Sequence, residues 1–157
     1  MIVPKYTIQP SSIPNAGFGL FLAQAVTRGS IITAPDKINQ LLTVAELERF
    51  DVNSIEVRSS TRWFENWCTS SPDWPDECYI NHSFTPTALW HLGFTFAVAD
   101  LPAETEITID YRFFLLENET PGFSDAQTGQ LIIGFSWQQS LMRSTTQLYQ
   151  LMELIKK

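Results

Sequence analysis

A chain of 157 residues, 44% hydrophobic and 13% aromatic, is long enough to pack one core and too apolar to belong to the disordered class. It holds no apolar run approaching ~18 residues and no long apolar stretch at its start, so neither a membrane-spanning helix nor a secretory signal is expected. Ten Lys and Arg against 17 Asp and Glu leave a net charge of −7, which opposes a direct duplex nucleic-acid partner and suits a basic one, though acidic surfaces also serve solubility alone.

In chain order, Tyr6-Thr7-Ile8 and Gly19-Leu20-Phe21-Leu22-Ala23 read as short strands around a turn at residues 13–17, where Pro14 and Gly17 supply the turn geometry. Ser30-Ile31-Ile32-Thr33 follows an Arg28-Gly29 turn as a third strand. Thr43 and Glu46 have capping-box spacing and open a short helix carrying Leu47 and Phe50. Residues 58–77 read as an irregular surface loop anchored by Trp63, Trp67 and Trp74. Phe94-Thr95-Phe96-Ala97-Val98 alternates as a strand. After a turn at 101–104, Glu106-Ile107-Thr108-Ile109 predicts a strand with one buried face. Residues 113–129 are mostly loop. Ser136 and Gln139 repeat the capping box and open a helix to about Lys156, with Leu141, Leu148, Leu151 and Ile155 on one face. Short strands, many turns and two helices predict a β-rich α+β fold, with residues 1–157 as a single domain. Cys68 and Cys78 are read as free thiols of a reducing compartment, the cytoplasm by default.

Three segments carry candidate chemistry. Gly17-Phe18-Gly19-Leu20-Phe21 lacks two Cβ atoms, which lets a ligand approach its backbone; an ordinary glycine turn would read the same way. No helix opens after it and a third glycine is missing, which excludes a dinucleotide-binding turn. Asn81-His82-Ser83-Phe84-Thr85-Pro86 offers an amide that donates and accepts, suited to the amino-acid end of a ligand. Its histidine fits either a site or a satisfied core position. Glu104-Thr105-Glu106-Ile107-Thr108-Ile109-Asp110-Tyr111 ends in a tyrosine whose hydroxyl could align a reacting group, or reach water from a strand end.

In this order the three segments resemble the signature of SET-domain methyltransferases, which transfer a methyl group from S-adenosylmethionine to a lysine amine. The resemblance covers about residues 12–111 and leaves 112–157 as a C-terminal segment and helix that complete the site. It implies a SET fold of several small sheets of short strands, S-adenosyl-L-methionine as cofactor and a lysine-bearing, basic protein as substrate. Cofactor contacts are implied at Gly17, Phe18, Gly19, Leu20, Asn81 and His82, the last largely through its main chain. Tyr111 falls at the family's catalytic tyrosine, and Tyr79, Ile109 and Trp137 border the implied substrate channel. One of Phe113, Phe114, Phe123, Phe135 and Trp137 is expected to complete the site, the alternative for each being to seat the last helix.

Two positions depart from the family pattern. Ala34-Pro35-Asp36 stands where an aromatic commonly follows the third strand, and Ile109 where Phe or Tyr is usual. Many members place Cys after Asn-His-Ser and use it for zinc; here Phe84 stands there and no cysteine follows Cys78, so no metal site is expected. The type resembled is the compact SET protein of viruses and bacteria, which would extend the expected compartment to the nucleus or a host cell. The departures also motivate a rival, a non-catalytic SET-fold module that binds peptide or cofactor. A hydrolase built on Cys78 and His82 lacks an orienting third group.

Overall fold

The computed structural model describes residues 1–36 and 38–155. Strand β1 (Tyr6–Pro10) pairs antiparallel with β2 (Phe18–Leu22), Ile8 opposite Leu20. The reversal between them uses left-handed backbone at Asn15 (φ 63°) and Gly17 (φ 75°), conformations that Asn and Gly adopt at least cost. Strand β3 (Ile31–Thr33) pairs with a later strand. Strand β4 (Gln40–Thr43) leads into α1 (Val44–Leu47), where the expected capping box is complete. The helix stops after one turn, however, so Phe50 lies beyond it and is exposed.

A one-turn α2 (Ile55–Arg58) precedes β5 (Thr61–Phe64) and β6 (Trp67–Ser70). Residues 58–77 are therefore not an irregular loop: β5, β6 and β4 form a three-stranded sheet in the order β4-β6-β5. The tight reversal rests on left-handed Glu65, a residue with no turn signature, which is why it was not legible. Trp63 does anchor this sheet, its indole N–H donating to the Leu92 carbonyl at 3.0 Å. Trp67 packs on Phe64, and Trp74 meets Tyr79 edge-on beneath the Arg58 guanidinium.

A 3₁₀ turn (Asp76–Tyr79) delivers the chain to β7 (Asn81–His82), followed by β8 (Ala88–His91), β9 (Phe94–Ala97) and β10 (Thr108–Ile109). The order β3-β9-β8 makes a second three-stranded sheet, while β7 and β10 form a two-stranded parallel pair. The predicted strand at 106–109 has no solvent face: Glu106, Ile107, Thr108 and Ile109 are all buried. It runs between β2, bridged through Phe21 and Glu106, and β7, so both of its sides are covered. Leu20, Leu22, Ile32 and Ile107 are fully buried at the centre of the core, each contributing about 1.5–3 kcal/mol by removal from water.

After a 3₁₀ turn (Tyr111–Phe113) the chain loops to α3 (Trp137–Ile155), whose Ser136/Gln139 capping box forms as expected. The helix end expected near Lys156 lies outside the described residues. Its buried stripe differs from the leucine face expected: Ser140, Ser144 and Leu151 are buried, Leu141 and Leu148 are half-buried, and Ile155 is exposed. Small serines let the helix lie close to β8, and both hydroxyls are used. Ser140 donates to the Phe113 carbonyl at 2.6 Å, and Ser144 bonds His91 Nδ1 at 2.9 Å. The result is the expected β-rich α+β architecture: small sheets of short strands and one long C-terminal helix.

Candidate active site

Asn81 joins the three segments. The β7–β10 ladder sets Asn81 beside Thr108 and His82 beside Ile109. From that position the Asn81 side-chain amide donates to the Phe18 carbonyl at 3.0 Å and to Glu106 Oε1 at 3.0 Å, with Ser11 Oγ at 3.2 Å. Three oxygen acceptors on one side fix the amide orientation. Its N–H groups are therefore spent on protein, and Oδ1 is the atom left to accept from a ligand.

Glu106 was not among the sequence candidates. Burial alone would raise its pKa, but donors from Ser11, Ser12 and Asn81 hold the carboxyl below its usual range, so it stays ionised. A Cβ on Gly19 would overlap Glu106 Oε1, whereas one on Gly17 would meet nothing. The space at Gly19 is thus filled from within, and only Gly17 leaves room beside the chain. Leu20 is fully buried with its carbonyl bonded to the Ile107 N–H, so its side chain cannot face a ligand; the Phe18 ring is exposed.

Tyr111 points its hydroxyl inward. It donates to the Ile80 carbonyl at 2.7 Å, and burial pushes its pKa up. The strand-end tyrosine reaching for water is excluded. The Tyr111 N–H donates to His82 Nδ1 at 3.1 Å, which places the His82 proton on Nε2. That Nε2 is buried without a hydrogen-bond partner among the described residues; the nearest acidic oxygen, Asp125 Oδ1, is 3.7 Å away. Burial pulls the His82 pKa down, outweighing the opposite pull of Asp110 and Asp125, so the ring is neutral. Asp110 is bound by the Arg112 guanidinium, which lies 4.3 Å from the Phe84 ring and 4.9 Å from Phe135.

Of the C-terminal aromatics, Phe114 (4.8 Å) and Phe123 (6.2 Å) meet the Tyr111 ring. Phe113 and Phe135 pack on one another, and Trp137 opens α3. Of the residues expected to border a substrate channel, Ile109 is buried within the core and Tyr79 packs against it. A cleft of about 370 Å³ lies between the turn at residues 12–14, His82 and Ser83, and the loop at 125–127.

The sequence model of the SET domain matches residues 17–112, more than half of the chain. The chain belongs to the SET domain family. No curated protein matches it. The match spans the glycine segment, the Asn-His pair and Asp110-Tyr111, the parts that Asn81 and His82 bring together in this SET domain. Sequence reasoning missed Ser11, Ser12, Glu106 and Asp125. Glu106 carried a readable signal, an acid inside an otherwise apolar and β-branched run; Asp125, in a polar loop, carried none.

Proposed function

We propose that this SET domain is an S-adenosylmethionine-dependent protein-lysine methyltransferase. The observation that carries the reading is the inward Tyr111 hydroxyl, 2.7 Å from the Ile80 carbonyl and adjoining the residues joined by Asn81. The donor set suits the cofactor: Asn81 Oδ1 can accept from its ammonium group, and the cleft beside His82 falls within the ~300–1,000 Å³ of small-molecule sites. When bound, the cofactor supplies an electrophilic methyl on a positively charged sulfur.

The residues then have definable tasks. Because the Tyr111 proton is given to Ile80, its oxygen lone pairs remain free to accept from a lysine amine N–H and so direct the nitrogen lone pair. Two oxygens in a dry setting also favour partial positive charge nearby. His82 holds the Tyr111 main chain, and Phe114 and Phe123 brace the ring. Net charge −7 supports a basic protein partner, and the free thiols Cys68 and Cys78 support a reducing compartment such as the cytoplasm.

The test uses labelled S-adenosylmethionine with lysine-rich peptides. Transfer of label to lysine is expected, with calorimetric binding of S-adenosylhomocysteine. Binding without transfer would favour the non-catalytic module. Neither binding nor transfer by folded protein would overturn the cofactor assignment.

A further inference from the structure

The loop at residues 122–131 is exposed at every position except Asp125, which is 3% exposed. Its carboxylate turns inward. One oxygen accepts from the Thr128 N–H and hydroxyl, both at 2.7 Å, while the other faces the Phe84 N–H at 3.4 Å and His82 Nε2 at 3.7 Å. The Thr128 bonds preset the carboxylate within the loop, but such a turn forms equally well in water and does not account for burial. The cost across the 3.7 Å gap lies on the histidine. His82 Nε2–H is a buried donor with no acceptor among the described residues, whereas the Asp125 carboxylate is kept ionised by Thr128 and the Phe84 N–H and turns an oxygen towards it. A shift of the loop by about 1 Å would remove that cost, since a charge-assisted bond needs about 2.7–2.9 Å.

We infer that Asp125 is a positioning residue: it latches the C-terminal loop to His82 and, through the His82–Tyr111 main-chain bond, holds Tyr111 in register. The cleft supplies the coupling. His82 and Asp125 both line it, opposite the turn at residues 12–14. A ligand touching both walls draws the loop inward and completes the Nε2–H···Oδ1 bond. Cofactor occupancy and Tyr111 placement then become one event. The latch itself stands without the methyltransferase reading; its effect on turnover rests on that reading.

The charged groups facing His82 are Asp125 from the loop and Asp110 and Arg112 from the chain after β10. The protein has two histidines, so ¹⁵N-histidine NMR gives two rings, with His91, bonded to Ser144, as internal control. In the free protein, Asp125→Ala is expected to lower the His82 titration midpoint and leave His91 unmoved. S-adenosylhomocysteine should shift the His82 Nε2–H signal downfield in wild type and not in Asp125→Ala. Asp125→Asn, whose amide oxygen still accepts, should restore part of that shift. Turnover of Asp125→Ala should fall roughly 10- to 10²-fold with peptide KM little changed, as expected for lost orientation. If the His82 signals of the folded free variants match wild type, Asp125 only shapes the loop and the latch is wrong. Should the alanine variant not fold, the asparagine variant decides on the same signals. If the homologue leaves wild-type spectra untouched, the cofactor reading and the coupling both fail, while the free-protein titration still decides the latch.

Discussion

Tyr111, at the residue scale, has a hydroxyl that is both a structural donor and the proposed guide for the amine. Tyr111→Phe leaves the buried Ile80 carbonyl without this donor, a loss of about 1–3 kcal/mol of stability. Turnover should fall further, by ~10²-fold, while S-adenosylhomocysteine affinity stays nearly unchanged, since orientation acts on the barrier. Single-turnover rates and calorimetry on the same preparation separate the two; parallel loss of affinity would make Tyr111 structural. Ile109 gives a second prediction. It is 6% exposed, within the core and two residues before Tyr111; the resemblance sets this position beside the amine, where Ile, unlike the usual Tyr, cannot hold a water. Wild type is therefore expected to form di- or trimethyl-lysine. Ile109→Tyr should shift product toward monomethyl-lysine, at about 1–3 kcal/mol of overpacking. Mass spectrometry of a peptide under excess cofactor reads the product, and a wild type that stops at one methyl assigns the restraint to another group.

Elements whose cause is local were readable from sequence, and those made by distant partners were not. Thr43 with Glu46 and Ser136 with Gln139 satisfy their own helix ends, so both helix starts fall where the capping pattern puts them. The short β7, by contrast, exists because β10 lies beside it, and its parallel pairing has no signature in either stretch. The stripe on α3 was misread for a related reason: Ser140 and Ser144 are polar in sequence but buried by use, through the Phe113 carbonyl and His91. In the site, the Asn-His pair and Asp110-Tyr111 were legible as motifs, while Glu106 and Asp125 take their roles from partners far along the chain. Ser140 also yields a test. Ser140→Ala removes a buried donor from a carbonyl that Arg62 Nη2 approaches only at 3.4 Å, so a loss of about 1–3 kcal/mol is expected in urea unfolding. An unchanged midpoint would mean that Arg62 alone satisfies Phe113.

For the whole molecule, acid sensitivity should arrive in two stages. Burial lowers the pKa of His82 and His91, so below their ordinary value of 6.5 the unfolded chain binds protons that the folded one refuses. Their contribution is complete above pH 6.5 and is lost as pH falls through the folded values. Glu106 and Asp125 are held below 4.5 and 3.8, so their contribution is present above those values and disappears at lower pH. The urea midpoint should be level between pH 6.5 and about 8, decline below that window, and steepen below pH 4.5. His91→Gln should flatten the first decline; an unaltered slope would assign it to His82 alone. The Asn81 amide has a further consequence, in the timing of synthesis. It binds Phe18, 63 positions earlier, and Glu106, 25 positions later. A ribosome adds about 5–20 residues per second, so Phe18 emerges roughly 4–18 s before the glutamate that completes this junction. Throughout that interval Leu20, Phe21 and Leu22 have no finished core to enter, and the nascent chain carries them as an aggregation-prone strand awaiting its own downstream sequence.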